Sequence, residues 1–275
     1  MNENKRTIVV KIGGTNGVDF AAISREIPGL LQAGWKCVLV HGGSAEVNQL
    51  GEALGHPPRF ITSPSGHASR YTDRQTLEIF AMAVNGKVNT LLVEQLQALG
   101  VNALGLSGLD GKLLLATRKG AVQSLEDGKR KIIRDDHTGK IEQVNTRLLE
   151  SLLEAGYTPG VSPLAISPQG EALNVDADRA AAMIAAALRA ETLVLLTAAP
   201  GLMRDFPDES SLIRSLSSRQ LETAAGFAHG RMKKKILGAQ EALQGGVARV
   251  IIADGRALNP ITQALSGAGT TIAER

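Results

Sequence analysis

Residues 7–40 read TIVVKIGGTNGVDFAAISREIPGLLQAGWKCVLV. The opening run TIVVKI is short, apolar and β-branched. The stretch from Asp19 to Gln32 is amphipathic at helical spacing, and KCVLV returns to the pattern of a buried strand. Strand, helix and strand in that order form the unit of a parallel sheet covered by helices. Further along, helical patterns at Glu46 to Leu54, Asp73 to Leu99 and Asn145 to Ala155 alternate with the strand VNALGL (101–106) and the segment YTPGVSP (157–163). Between Gly111 and Lys140, short strand-like pieces flank Asp127-Gly128, a dipeptide that favours a tight turn, which predicts an antiparallel hairpin excursion. After Pro168-Gln169-Gly170 the rhythm resumes with a helix from Asp176 to Leu188, the strand TLVLLT (192–197), a helix near Gly230 to Gln244 and the strand RVIIA (249–253). The class is α/β with a mainly parallel sheet. A lobe boundary falls near Asn174, giving lobes of about 1–173 and 174–275 within a single unit, with no flexible linker.

Composition narrows the function classes. With 43% hydrophobic and 21% charged residues, the chain has the balance of a soluble globular protein and neither a disordered nor a fibrous one. The start MNENKRTIVVKIGG has no apolar core or cleavage site of a leader, so none is expected. The longest apolar run, Ala180 to Leu188, falls well short of the roughly 18 residues of a membrane span, so no membrane partner is expected. Cys37 stands alone in an apolar segment, which suits a buried thiol in a reducing cytoplasm. Thirty Lys plus Arg against 27 Asp plus Glu leave a net charge of only +3, and 3% aromatics leave few platforms on which bases could stack, so nucleic acid is not expected as a partner.

Paired glycines twice follow a buried strand. VVKIGG brings Lys11, then Gly13 and Gly14, to a strand's carboxyl end, where open α/β sheets hold ligands. Glycine there either lets backbone N–H groups approach a phosphate or serves a tight turn with no ligand at all. VLVHGGSAEVN (38–48) ends its strand at Gly42 and Gly43, then opens a helix at Ser44 whose N-terminus suits anionic oxygens. His41 reads either as a base or as a ring held by hydrogen bonds at a strand end, and no proton transfer is assigned to it. In SRYTDRQTLE (69–78), Arg70 precedes a helix start capped at Thr72 or Asp73, and its guanidinium either forks a carboxylate or lies solvated at the surface. In ALNVDADRAAAMIAAAL (172–188), Asn174 and Asp178 straddle a helix entrance with Asp176 between them. Capping explains one of these acids, and a carboxylate set between two lysines would explain the other. GRMKKKILGAQEAL (230–243) opens a helix with Lys233, Lys234 and Lys235, either as a solvated face or with one lysine turned towards a polyphosphate.

Taken in order, VKIGG, VHGGS, SRYTD, NVDAD and GRMKKK resemble the successive motifs of the amino-acid kinase superfamily, and particularly of the acetylglutamate kinases, over almost the whole chain. HGGSAEVN (41–48), GHPPRFITSPSGHASRYTDRQTLEIF (55–80) and GLSGLDG (105–111) look like the branch that phosphorylates 2-aminoadipate carried on the small acidic protein LysW. The resemblance implies a three-layer αβα sandwich of the carbamate kinase-like kind, a homodimer, and ATP with Mg²⁺ held mainly by the nucleotide phosphates. It also implies catalytic roles for Lys11 and Lys235 on the transferring phosphoryl group and for Asp178 in organising them. Gly13 and Gly14 would face the phosphates. Gly43 and Ser44 would hold the attacking carboxylate, Arg70 the substrate's α-carboxylate, and Asn174 its acylated nitrogen, with the nucleotide near Thr197 to Gly201. Two positions depart from the family pattern: Ser44 replaces a third glycine, and Ala198 in LLTAAPGL (195–202) replaces a polar residue. A carboxylate acceptor is already ionised at neutral pH and needs no general base, so the lack of a Ser-His-Asp arrangement is consistent with this chemistry. The competing readings are an N-acetylglutamate kinase of arginine synthesis, a dual kinase of carrier-bound aminoadipate and glutamate, and a catalytically silent nucleotide-binding module.

Overall fold

A computed structural model of the chain describes residues 6–14, 17–63, 68–126, 129–228 and 230–274. The first half gives β1 (Thr7–Ile12), α1 (Phe20–Gln32), β2 (Lys36–His41), α2 (Ser44–Ala53), β3 (Phe60–Thr62), β4 (Ala68–Arg70), α3 (Arg74–Phe80), α4 (Thr90–Ala98) and β5 (Ala103–Ser107). Next come β6 (Leu114–Arg118), β7 (Val122–Glu126), β8 (Lys129–Ile133), β9 (Gly139–Val144), α5 (Thr146–Glu154), β10 (Thr158–Ser162), β11 (Leu164–Ile166) and β12 (Ala172–Asn174). The last part holds α6 (Ala177–Ala187), β13 (Thr192–Thr197), β14 (Ser215–Ser217), α7 (Leu221–Ala225), α8 (Arg231–Gln244), β15 (Arg249–Asp254), α9 (Pro260–Leu265) and β16 (Thr270–Ala273).

The main sheet runs β14-β16-β15-β13-β1-β2-β10-β5, with every pairing parallel except β15 with β16. One face, carrying Val9, Val38 and Leu195, packs on α5, α6 and α8. The other, carrying Val10, Leu39 and Val194, packs on α1, α4 and α9. Burial on both faces explains why TIVVKI, KCVLV and TLVLLT are near-continuous apolar runs with no polar alternation. The expected three-layer sandwich is therefore present. Period-two alternation also sorts the strand ends. Lys11, in step with Val9, faces the α6–α8 layer, whereas His41, paired with Ile12, faces the α1–α4 layer.

Three features differ from the sequence reading. The helical region expected from Asp73 to Leu99 is interrupted by a π-helical stretch, Ala81–Asn89. Its wide turn lets Asn85 and Asn89 both reach strand ends: Asn89 Nδ2 donates to the Leu106 carbonyl at 3.0 Å, and Asn85 Oδ1 accepts from the Ser162 hydroxyl. The strand expected at 101–106 begins at Ala103 and runs to Ser107. The excursion after Gly111 contains the expected antiparallel pair, β7 with β8, but β6 and β9 around it join β11 and β12 in a separate four-stranded sheet. The Asp127-Gly128 turn itself lies outside the described residues. Cys37 is fully buried as expected, and burial pushes its thiol up to about 12, which makes it inert. Among the described residues, no helix is long and apolar enough to cross a membrane.

Candidate active site

Because Ile12 pairs with His41, the two glycine turns leave the sheet side by side at its carboxyl edge. They touch backbone to backbone. A Cβ on Gly14 would lie 2.3 Å from the Gly43 nitrogen, and one on Gly42 would lie 3.0 Å from the Gly14 Cα. Close approach, not unusual dihedrals, is what demands glycine here. The N–H groups of Gly13, Gly14, Gly43 and Ser44 meet no acceptor among the described residues, while Ala45 N–H donates to the Gly14 carbonyl at 3.2 Å. Gly43 is the N-cap of α2 and no described side chain caps that helix, so the Gly43 and Ser44 amides present unmet positive ends at the sheet edge. The two cradles read from the sequence thus form one.

Beside them the structure brings together Lys11 from the end of β1, Asp178 from the first turn of α6, and Lys235 from α8. Lys11 Nζ is 2.9 Å from Asp178 Oδ1, and Lys235 Nζ lies 3.0 and 2.8 Å from the two carboxylate oxygens. All three are nearly inaccessible, at 5%, 7% and 6% exposure, so their charges act in a medium where solvent screens little. Burial alone would raise the Asp178 carboxyl, but Lys11 and Lys235 overcome that and hold it well below the usual carboxylate range. Burial pushes the Lys235 ammonium down; Asp178 works against that shift and Lys11 adds to it. Two ammonium groups against one carboxylate leave a surplus positive charge at the same sheet edge as the unmet amides, an arrangement suited to a polyanion.

The neighbouring residues divide the labour that the sequence left open. Asp176, not Asp178, caps α6, accepting from the N–H groups of Asp178 and Arg179, and also meets Lys234 at 3.4 Å. Asp178 is thereby free to serve the lysines. Lys233 is exposed, Lys234 is half-buried beside the α6 N-cap, and Lys235 is the lysine turned inward to Asp178. Asp73, one of two expected caps, is the cap of α3, accepting from Thr76 N–H at 2.7 Å. Arg70 is not a solvated surface group. Its Nη2 donates to Asn48 Oδ1 at 2.6 Å and to the Ser44 carbonyl at 3.4 Å, which sets the guanidinium against the first turns of α2. Asn174 Nδ2 donates to the Thr72 hydroxyl at 3.0 Å. Thr197 to Gly201 leaves β13 next to Gly13, and a Cβ on Gly13 would lie 3.1 Å from the Leu196 carbonyl.

Sequence reasoning missed Asp136. Only 1% exposed, it accepts from Thr72 N–H at 2.9 Å and from the Thr138 hydroxyl, tying the β4 exit, which carries Arg70, to the loop that pairs with Asn174. Its partner Thr72 is 64 residues away, and no local spacing announces such a contact. Sequence reasoning assigned His41 no proton transfer. The ring is fully buried on the face away from Lys11, and burial pulls it down to about 4, so it is neutral at pH 7 and out of reach of the charged cluster's proton chemistry. Among the described residues, no group of three or more His, Cys, Asp or Glu gathers to ligate a metal.

The sequence profile of the amino acid kinase family matches residues 6–254. The LysW-aminoadipate kinase of Deinococcus radiodurans is 58% identical over 265 residues, covering 96% of this chain and 91% of that protein. The LysW-aminoadipate kinase of Thermus thermophilus is 52% identical over 267 residues, covering 96% and 99%. Among solved structures, N-acetylglutamate synthase from Neisseria gonorrhoeae, complexed with coenzyme A and N-acetylglutamate, superposes with a TM-score of 0.80 at 31% identity. That match covers 98% of this chain and 60% of the longer protein. A parallel sheet ending in two glycine turns, a carboxylate between two buried lysines, and relatives alike over nearly their whole length lead to one conclusion: the chain belongs to the amino acid kinase family.

Proposed function

We propose that this protein transfers the γ-phosphoryl group of ATP to the side-chain carboxylate of 2-aminoadipate borne on the carrier protein LysW, a step of lysine synthesis by the aminoadipate route. The observation that carries the chemistry is the buried Lys11–Asp178–Lys235 cluster at the same sheet edge as amides that have no acceptor among the described residues. The identity of 58% and 52% to two kinases of that name supports the acceptor. MgATP, when bound, supplies the phosphoryl group and most of the metal's ligands, in keeping with magnesium's preference for phosphate oxygens and water. The chain's own residues position and neutralise. Lys11 and Lys235 face the charge shared by donor and acceptor, and Asp178 fixes both ammonium groups in place. Gly13 and Gly14 offer amides to the phosphates, while Gly43 and Ser44 offer theirs to the attacking carboxylate. Arg70 grips the α-carboxylate, and Asn174 contacts the acylated nitrogen. The acceptor thus sits on the lobe of residues up to about 173 and the nucleotide on the remainder, in a cytoplasmic homodimer.

Hydroxylamine trapping of the acyl phosphate, with carrier-bound aminoadipate, carrier-bound glutamate and N-acetylglutamate offered in turn, tests both chemistry and acceptor. Preference for the first is the expected result. Preference for N-acetylglutamate would move the protein to arginine synthesis, and ATP binding with no hydroxamate from any acceptor would leave a nucleotide-binding module. Salt adds a second readout. Arg59, stacked 5.0 Å above the Tyr71 ring, and exposed Arg134 would be contacts for an acidic carrier, so turnover on such a carrier is expected to fall with ionic strength while turnover on a small acceptor is not.

Arg70→Ala is expected to raise KM for the acceptor by about 10- to 100-fold with kcat little changed, the size of one or two lost charge-assisted hydrogen bonds. Acceptor saturation curves check this. An unaltered KM would remove Arg70 from the acceptor site.

A further inference from the structure

Gly42 and Gly43 are glycine because a Cβ at either would collide, on Gly42 with Gly14 at 3.0 Å and on Gly43 with the Val84 side chain at 2.9 Å. The price of that close fit is a peptide unit flanked on both sides by residues whose own dihedrals set no preference, so its orientation rests on its contacts. Yet this is the peptide whose N–H must face the acceptor. His41 supplies the missing restraint: its Nδ1 lies 3.0 Å from the Gly42 carbonyl oxygen. A neutral ring protonated at Nδ1 donates there, drawing the carbonyl towards the α1–α4 face, where the ring is buried against Phe20 at a centroid distance of 6.4 Å. In a trans peptide the C=O and N–H point in opposite directions, so the Gly43 N–H is turned to the face on which Lys11 and Asp178 stand.

We propose that His41 is a positioning residue that acts through the sheet: it locks the Gly42–Gly43 peptide with the Gly43 amide aimed at the reacting carboxylate. The inference rests on the acceptor reading given above, but it also makes a claim about backbone orientation that holds whichever acceptor is used. It excludes proton transfer by His41 and assigns the restraint to Nδ1, while the Asn89 side chain also acts on the ring.

Asparagine places its amide nitrogen where Nδ1 stands, whereas glutamine places its own nearer Nε2, and leucine has no donor. With carrier-bound aminoadipate, His41→Leu and His41→Gln are expected to lower kcat by about 100-fold, the size of one lost oxyanion donor, with KM for ATP unchanged. His41→Asn should restore most of that loss. Glutamine as active as asparagine, or leucine as active as wild type, would overturn the proposal, as would equal loss in all three variants with intact melting curves. Crystal structures of His41→Leu and His41→Asn supply the readout that does not depend on the acceptor. The Gly42 carbonyl should be rotated away in the first and held inward in the second. An unrotated peptide in the leucine variant overturns the proposal even if wild-type turnover has been found on a different acceptor.

Discussion

Lys11→Met is expected to lower kcat by about 10² to 10³-fold, or roughly 2.7–4 kcal/mol of transition-state stabilisation, with a smaller change in KM for ATP. Methionine keeps the apolar stem in its buried slot and removes only the ammonium, so the loss reads charge and not packing. The variant should remain folded. Asp178 keeps Lys235 at 2.8 Å, and the cluster passes from two cations with one anion to a matched pair. That is why the effect should appear in kcat: the surplus charge, not the pair, is what meets the charge building between donor and acceptor oxygens. Lys235→Met is the companion measurement, and the double variant should lose less than the product of the single losses, since the two ammonium groups share one carboxylate and one task. Steady-state kinetics on the trapped acyl phosphate, with a melting curve beside each variant, checks all three. A kcat within about threefold of wild type in Lys11→Met would remove Lys11 from the chemistry.

The parts of this site that the sequence disclosed are those in which a local pattern carries the physics. Strands buried on both faces cannot alternate, so TIVVKI, KCVLV and TLVLLT declared themselves, and the glycine pairs after the first two marked where backbone must come close. Two acids at one helix entrance were one more than a cap requires, and the surplus acid, Asp178, proved to be the one between the lysines. What stayed hidden depends on partners distant in sequence. Three-residue strands such as Leu164–Ile166 have no periodicity to read, so the strand-like pieces after Gly111 did not disclose the four-stranded sheet they join. The π-helical stretch AMAVNGKVN carries no local signal for a wider turn, and the side chains it presents, Asn85 and Asn89, reach strands met only later in the chain. His41 was ambiguous for a related reason. Its residue type allows proton chemistry, and only the pairing of Ile12 with His41 places it on the face where that chemistry is out of reach.

The second large effect is on stability. Asp178→Asn keeps the shape of the side chain but leaves Lys11 and Lys235 buried with no counter-charge, a change expected to destabilise the fold by about 3–5 kcal/mol. At roughly 2–4 °C per kcal/mol for a long chain, the midpoint of thermal unfolding should fall by about 10 °C at pH 7. The pH dependence identifies the cause. Because the folded Asp178 carboxyl is held below its unfolded value, its contribution is complete above about pH 4 and is lost as the pH falls through the folded value, so the gap between wild type and variant should close as the pH falls through that acid range. On the alkaline side, a lysine whose ammonium is depressed by burial binds fewer protons folded than unfolded, so stability rises with pH as it discharges. Without Asp178 that discharge comes earlier, and the gap should narrow there too. Adding Lys11→Met to Asp178→Asn removes one of the stranded charges and should recover part of the lost midpoint. A midpoint in Asp178→Asn within about 2 °C of wild type, or a gap that is flat with pH, would mean that the cluster is wet enough for solvent to replace the carboxylate. The low-dielectric site on which the catalytic argument depends would then be absent as well.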